Sequence, residues 1–264
     1  MKLQFLTSTE KNILLSEHPE VKRFIKRFLG AQEFVQGLER YCLWIEDTDR
    51  AEAEKNPEIK HRIEAVATIR SESKAAETRP AAAFPHRFRQ IQSTAARYSL
   101  IVARVSSENR DYLPVGLESE NTIIGDRNFA LYDAPLWNMA LIASRLHWVW
   151  IGTVCVRMRT DFSYSNTLGW NTFPVPRLTQ KNKDDLTRCA ENILLAREAH
   201  FPATIADLYN PDKMPEDLRH AHERNDEVLE RIYIGRRFKN DTERLEKLFD
   251  LYTRMTADKP KRRS

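Results

Sequence analysis

The segment from Val154 to Pro176 contains the residues whose types and spacing are best suited to chemistry. Its polar side chains alternate with other types, and the polar members are Arg157, Arg159, Asp161, Ser163 and Ser165. The intervening members are Met158, Thr160, Phe162 and Tyr164. Because successive side chains of a strand point to opposite faces, the alternation predicts one extended strand with a polar face and a buried face.

The polar face of this predicted strand has side chains that suit the edges of base pairs. Arginine can donate to O6 and N7 of guanine, aspartate can accept from the N4 amino group of cytosine, and serine can pair with several edges. The main pair is Arg159 and Asp161, two residues apart on one face. The same pattern also fits an edge strand whose charges simply face water, and Arg157 fits a structural ion pair equally well. The residues alone leave both interpretations open.

Two further strands are expected beside this one. Residues 99–105 are rich in β-branched side chains, and they are followed by the hydrogen-bonding residues Ser106, Ser107 and Arg110. Residues 122–131 form a second such run, which Gly-Asp-Arg-Asn interrupts. Arg127 in that interruption is the expected companion of Ser163. An apolar helix is predicted for residues 135–150, ahead of the alternating segment.

The sequence of the N-terminal third predicts short helices that alternate with strands. Residues 19–29 are interpreted as a helical turn with four basic residues, and residues 40–45 as a buried strand. Residues 49–76 predict a charged helix. Its apolar stripe is Ile59, Ile63, Val66 and Ile69. The face expected in solvent has Lys60, Arg62, Arg70 and Lys74.

After residue 176 the pattern becomes helical. Apolar stripes at helical spacing occur in residues 183–200, 216–233 and 242–255. Such stripes can be buried against one another in a small bundle. The sequence therefore predicts an α+β fold in two parts, a mixed α/β domain at 1–176 and a helical domain at 177–264.

Composition and charge are those of a globular, mildly basic chain. Of its 264 residues, 41% are hydrophobic and 30% are charged, and the net charge of +4 permits an anionic partner without requiring one. Residues 84–98 mix basic and aromatic side chains, and the tail KPKRRS is basic; both suit phosphate contacts. No signal peptide or membrane span is expected. Three separated cysteines, Cys42, Cys155 and Cys189, fit a reduced cytoplasmic protein.

Sequence patterns for catalysis or metal binding are absent. The chain has no glycine-rich nucleotide turn, no phosphate-binding loop and no Asn- or Asp-Pro-Pro-aromatic loop for methylation of a base. His220 and His222 are two residues apart, whereas ligands for one metal on a helix need a spacing of three or four, so both are interpreted as surface histidines. No catalytic residue, metal site or cofactor site is therefore expected in this chain.

Several stretches together resemble one protein family. They are FLGAQEFVQGLERYCLWIED at 28–47, VARVSSENRDYLP at 102–114, the run from Leu136 through RMRTDFSYS to NTFPVP at 171–176, and ADLYNPDKMPEDLRHAHERNDEVLERIY at 206–233. This ordered set is similar to the target recognition domain and C-terminal helical domain of MmeI-like single-chain restriction–modification enzymes. Adenine-specific DNA methyltransferases of defence systems carry similar modules. The resemblance covers nearly the whole chain.

The resemblance implies a module that recognises double-stranded DNA for an S-adenosylmethionine-dependent N6-adenine methyltransferase. The family's alternating strand lies against the major groove, and family members often have Gly-Arg-Leu where this chain has Val156-Arg157-Met158. The DNA-binding residues expected here are Arg159, Asp161, Ser163, Arg157, Arg127, Ser106, Ser107 and Arg110. S-adenosylmethionine, and Mg²⁺ for any nuclease, are expected only in upstream domains, so a methyltransferase domain is an expected partner. The alternative is a protein-interaction scaffold of a DNA defence complex, whose helical domain binds a partner.

Overall fold

The computed structural model describes residues 2–90 and 93–257, in which helices are combined with three small sheets. The helices are α1 Ser8–Glu17, α2 Ala31–Gln36, α3 Arg50–Ala53, α4 Pro57–Ser71, α5 Trp137–Ile142, α6 Arg145–Val154, α7 Gln180–Glu198, α8 Ile205–Leu208, α9 Glu216–Ile234 and α10 Asp241–Ala257. The strands are β1 Phe5–Leu6, β2 Ile25–Leu29, β3 Tyr41–Leu43, β4 Tyr98–Ala103, β5 Val105–Ser106, β6 Val115–Ser119, β7 Thr122–Ile124, β8 Asn128–Tyr132, β9 Arg157–Met158 and β10 Asp161–Ser163. The predicted α+β class is confirmed. Among these described residues, no helix has the length and apolar character needed to cross a membrane.

The N-terminal sheet has the strand order β1-β3-β2-β7. β2 is antiparallel to β3 and parallel to β7, so this sheet connects the N-terminal segment to the middle of the chain. The helical turn predicted at 19–29 is wrong in its second half, because only Pro19–Phe24 is a 3₁₀ helix and the rest is β2. Pairing on both sides of β2 overrides its local propensity. Gly125 follows β7, and a Cβ there would lie 2.7 Å from the Phe28 ring.

Helix α4 follows the predicted stripe with two exceptions. The Oδ1 of Asn56 caps the helix by accepting a hydrogen bond from the Ile59 backbone N–H at 3.1 Å. Ile69, expected in the core, is exposed, and Arg70, expected in solvent, is buried. The Arg70 guanidinium donates hydrogen bonds of 2.8–3.0 Å to the backbone carbonyls of Ala81, Phe84 and Arg87. These long-range acceptors, which no sequence pattern reveals, compensate for the burial of the charge.

The central sheet has the order β6-β4-β8, and the buried helical segment that follows it is divided into α5 and α6. The single helix predicted at 135–150 is therefore wrong at one point. The Ser144 hydroxyl donates to the Leu141 carbonyl at 2.7 Å and accepts from the His147 backbone N–H at 3.1 Å. Ser144 thus caps a new helix, since serine competes with the helix backbone for its hydrogen bonds.

The C-terminal helices share one hydrophobic core with the central sheet and with α5 and α6. Helices α7 and α9 pack against each other, and α9 also touches α6. His222 on α9 is fully buried, so the prediction of a surface histidine is wrong for it. Its Nε2 forms a hydrogen bond of 2.8 Å with the Tyr209 hydroxyl, and its Nδ1 lies 3.2 Å from the Ala143 carbonyl. Helix α9 is thereby fixed at the break between α5 and α6.

Candidate nucleic-acid interface

The alternating segment forms a tight hairpin instead of one long strand. β9 and β10 pair antiparallel, with Asp161 opposite Met158 and Phe162 opposite Arg157. Arg159 and Thr160 form the two-residue turn, and Arg159 has a φ of 61°, in the left-handed region where glycine or asparagine is usual. The prediction of one strand was wrong because the alternation runs through a turn that has no typical turn residue. Arg159 lies in that turn, so it does not share a strand face with Asp161 as predicted. Residues 156–164 are called the hairpin from here on.

The buried face of the hairpin is fixed by aromatic contacts to α6. Phe162 meets the Trp148 ring edge-to-face, with centroids 4.8 Å apart. The Tyr164 hydroxyl forms a hydrogen bond of 3.1 Å with Nε2 of His147. Burial lowers the pKa of His147 to about 3, so this imidazole is neutral at physiological pH. A rigid helix therefore sets the position of the hairpin, as precise recognition requires.

The outer face combines polar and apolar side chains. Asp161 and Ser163 share this face, because residues two apart on a strand point the same way. Residues directly opposite each other in paired strands also share a face. Met158 therefore lies beside Asp161, and Val105 and Val156 lie on either side of Ser163. Met158 is 56% exposed and Val156 71% exposed.

Met158, Val105 and Val156 are candidate contact residues that the sequence did not reveal. The alternation placed Met158 on the buried face, because a single strand has no turn at Arg159 to reverse the order of faces. Exposed apolar side chains next to charged ones are typical of binding surfaces. A signal was present in the sequence, since Val156 and Met158 are apolar residues on both sides of an arginine, but only the hairpin register shows their exposure.

Arg157 lies on the opposite face from Asp161, contrary to the prediction that the two share one. It stands across from Phe162, and its guanidinium is 4.8 Å from the centroid of that ring. Arg157 also forms an ion pair with Glu108. The structural ion pair that the sequence left open is therefore present. Glu108 ties the hairpin to the turn that follows β5.

The three candidates after β5 have different surroundings. Ser106 faces the core opposite Phe162 and is only 2% exposed, so it presents no free hydroxyl to a ligand. Its Oγ accepts a hydrogen bond from Arg110 at 3.2 Å. Burial lowers the pKa of the Arg110 guanidinium, while the Asp161 carboxylate acts in the opposite direction. Ser107 is partly exposed, and its Oγ accepts from the Asn109 backbone N–H at 3.3 Å.

Arg127 is connected to the hairpin through backbone hydrogen bonds of Arg104. Its carbonyl accepts a hydrogen bond from the Arg104 backbone N–H at 3.0 Å, and the Arg104 carbonyl accepts from Tyr164 at 2.8 Å. Arg104 and Arg127 are both exposed. Within the described parts of the chain, neither of them nor Arg159 has a carboxylate within 4.0 Å. Three uncompensated guanidinium groups thus lie on or near the hairpin.

The basic and aromatic segment at 84–98 is largely occupied by internal contacts. His86 and Arg87 both contact Asp47, at 2.7 and 2.9 Å. The Phe88 ring packs near Phe5 and Phe28. Residues 91–92 and the tail KPKRRS lie outside the described residues. Among the described side chains, no group of three His, Cys, Asp or Glu residues is arranged to hold a metal ion.

Comparison with known proteins gives consistent matches over this chain. The sequence profile of "MmeI, target recognition domain" matches residues 2–177, and that of "MmeI, C-terminal domain" matches residues 178–259. A protein of Bacillus subtilis (strain 168) named DNA methyltransferase A is 38% identical over 250 residues, which cover 95% of this chain and 28% of the relative.

A solved structure of the Type IIL restriction–modification enzyme MmeI in complex with DNA has the same fold. The two superpose with a TM-score of 0.89 at 30% identity, over 97% of this chain and 34% of that one. The chain thus spans about a third or less of the length of these relatives. The resemblance recognised in the sequence is confirmed, and the chain belongs to the MmeI family, whose target recognition and C-terminal domains it matches.

Proposed function

We propose that the chain recognises a specific sequence in double-stranded DNA and supplies that specificity to a DNA methyltransferase of a restriction–modification system. The observation that carries the proposal is the hairpin. Its turn contains Arg159 in a strained backbone conformation, two residues before Asp161, while its other face is held in the core by Trp148 and His147. Strain of this kind is concentrated at functional sites. Family membership and the likeness to MmeI solved with DNA support the same role.

The hairpin suits the major groove, which admits a two-stranded β-ribbon. In the proposed complex Arg159 donates to O6 and N7 of guanine, and Asp161 accepts from N4 of cytosine in the same pair. Ser163 contacts a second position. Met158 and Val156 offer apolar surface to thymine methyl groups.

The residues around the hairpin have supporting roles in this proposal. Arg127 and Ser107 contact the sugar–phosphate backbone, which fixes the register of the duplex without reading its sequence. The charge of Asp161 acts on the Arg110 guanidinium, and Ser106 acts only by accepting a hydrogen bond from Arg110. Arg157 holds the hairpin in place through Glu108.

A methyltransferase domain, in the same or a separate chain, is the proposed partner. The name of the Bacillus subtilis relative, DNA methyltransferase A, supports this partner. S-adenosylmethionine, and Mg²⁺ where cleavage follows, would be bound by that domain or by others, and the methylated atom is N6 of adenine. The proposed location is the cytoplasm, in agreement with the free cysteines Cys42, Cys155 and Cys189.

Selection of bound duplexes from a randomised library, followed by sequencing, tests the proposal with the 264-residue chain. We expect one enriched sequence and an affinity that falls steeply as salt rises, because phosphate contacts release counterions. Arg159→Ala should remove the preference at one position, whereas Lys60→Ala on the exposed side of α4 should leave it unchanged. A folded chain that enriches no sequence contradicts the proposal and favours the scaffold alternative.

A further inference from the structure

A basic cleft of about 800 Å³ lies on the N-terminal sheet, away from the hairpin. Its five cations come from α1, from the 3₁₀ segment before β2, and from β2 itself, and they are Lys11, Lys22, Arg23, Lys26 and Arg27. The end of β6, the start of β7 and the turn between them also line the cleft, through Ser119, Thr122 and Asn121. The cleft is therefore assembled from chain segments that are distant in sequence.

Four cations of this basic cleft, all except Arg27, form no ion pair with another described residue. Within the described residues, none of them has a carboxylate oxygen within 4.0 Å. Two carboxylates line the cleft, Glu20 and Glu118, and Glu118 is paired with Arg27 at 2.9 Å, so the cations of the lining outnumber its carboxylates. Lys11 is held over the Tyr41 ring, 3.9 Å from its centroid. Positive charge in a concave surface attracts anions more strongly than the same charge on a flat one.

Strand β4 relates the basic cleft to the hairpin. At one end Tyr98 pairs with Ser119, which lines the cleft. At the other end the chain continues from Ala103 into Arg104, whose carbonyl bonds to Tyr164 of the hairpin. Six residues of extended chain span roughly 20 Å. A DNA duplex covers that distance in roughly six base pairs, at about 3.4 Å per pair.

We propose that the basic cleft is a second DNA contact, which binds phosphates of the duplex flanking the bases read by the hairpin. The proposal rests on the proposed function. Three of the four cations without an ion pair among the described residues are lysines, whose flexible point charges suit phosphate groups without geometric selection. Exposed aromatic platforms for unpaired bases are lacking among the described lining residues, because Tyr41 is covered by Lys11. The contact is therefore to the backbone of a duplex and carries no sequence preference.

The test compares the full chain with the double variant Lys22→Glu and Lys26→Glu. Affinity is measured by fluorescence anisotropy for labelled duplexes of random sequence, 12 and 30 base pairs long, over a range of salt concentrations. Loss of two phosphate contacts should lower the slope of log affinity against log salt by about two. The gain in affinity from the longer duplex should shrink, while the sequence enriched from a randomised library stays the same.

Two further variants keep the test decisive. Lys60→Glu with Lys74→Glu makes the same charge change on exposed residues outside the basic cleft and should alter the salt slope much less. Lys22→Gln with Lys26→Gln should give a smaller loss in the same direction, and it serves if the reversed charges unfold the sheet, as checked by circular dichroism.

Four outcomes overturn the inference. Equal salt slopes for wild type and the cleft variants, in a chain that still selects a sequence, remove the cleft from DNA binding and leave the proposed function intact. An equal decrease in salt slope for the Lys60 and Lys74 control variant shows that the effect comes from net charge alone. A changed enriched sequence makes the cleft part of base reading. Absence of duplex binding by the folded wild-type chain overturns both proposals.

Discussion

Arg159 combines two properties that rarely occur together in one residue. Its backbone is left-handed, a conformation that costs most side chains about 1–2 kcal/mol, and its guanidinium has no carboxylate partner among the described residues. Neither property stabilises the fold. A turn built only for stability would have glycine or asparagine here. The residue is therefore best explained by a contact outside the chain.

Arg159→Gly separates the two properties. The free energy of unfolding, measured by urea titration, should stay the same or rise, since glycine adopts the left-handed conformation at no steric cost. Discrimination at one base-pair position should fall by about 1–3 kcal/mol. Arg159→Lys is the matched control, which retains the charge but loses the bidentate geometry and should keep overall affinity better than discrimination. Undiminished discrimination in the glycine variant would exclude Arg159 from base reading.

The buried carboxyl group of Asp226 should make the stability of the chain depend on pH. Burial raises its pKa to about 7, so between its ordinary value near 3.8 and about 7 the folded chain holds a proton that the unfolded chain releases. The contribution of Asp226 to stability is therefore lost as the pH rises through that window. Asp226→Asn should flatten the dependence of the free energy of unfolding on pH between 4 and 7, and exposed Asp212→Asn should not. Parallel curves for wild type and Asp226→Asn would refute the pKa assignment.

The two faces of the hairpin have different roles. Phe162 and Tyr164 attach it to α6, and Asp161, Ser163 and Met158 remain available on the outside. A site on a rigid element holds its contact residues more precisely than a free loop does. Recognition and stability should therefore respond to different substitutions on neighbouring positions.

Phe162→Ala and Met158→Ala form a matched pair for this division. Phe162 is buried against Trp148, so its truncation should cost about 3–5 kcal/mol and speed amide hydrogen exchange in the hairpin. Met158 is exposed, so its truncation should change stability by about 0.5 kcal/mol or less. The alanine at 158 should still weaken DNA binding. Comparable destabilisation by both variants would mean that Met158 is a core residue after all.

The elements that the sequence predicted are those whose periodicity is undisturbed. Helices α7, α9 and α10 lie close to their predicted ranges because each has a long apolar stripe. The hairpin was missed because the alternation of residue types continues unbroken through the turn at Arg159, although a two-residue turn reverses which positions face the core. Arg70 and His222 were placed on the surface because their partners, such as the carbonyls of Ala81 and Ala143, are distant in sequence. The types of the candidate residues were visible in the sequence, but the face of the hairpin on which each residue lies depends on how β9 pairs with β10.

The C-terminal helices and the central sheet form one packed body, since they share one hydrophobic core. Polar contacts reinforce this packing: Arg145 pairs with Asp241 at 2.6 Å, and Arg219 with Asp111 at 2.7 Å. Both join the C-terminal helices to segments that support the hairpin. We infer that the C-terminal helices maintain the orientation of the outer face of the hairpin.

Arg244 tests the contribution of the C-terminal helices. It pairs with Glu230 at 2.6 Å, and Glu230 is only 1% exposed. Arg244→Ala leaves a buried carboxylate without its cation and should destabilise the chain by about 3–5 kcal/mol. Arg254→Ala breaks an exposed pair with Asp250 and should cost about 1 kcal/mol or less. Thermal unfolding measures both, and a small effect at Arg244 would show that Glu230 is neutral or finds another partner.

The central claim is that the turn of the hairpin reads a G·C pair, and exchange of its two charges tests this most directly. The double variant Arg159→Glu with Asp161→Arg exchanges the donor and the acceptor while retaining the net charge. Duplexes selected from a randomised library by the variant chain should carry C·G where the wild-type sequence has G·C, with the other positions unchanged. The same enriched sequence, selected with undiminished affinity, would contradict the account and leave the hairpin as an edge whose charges face water.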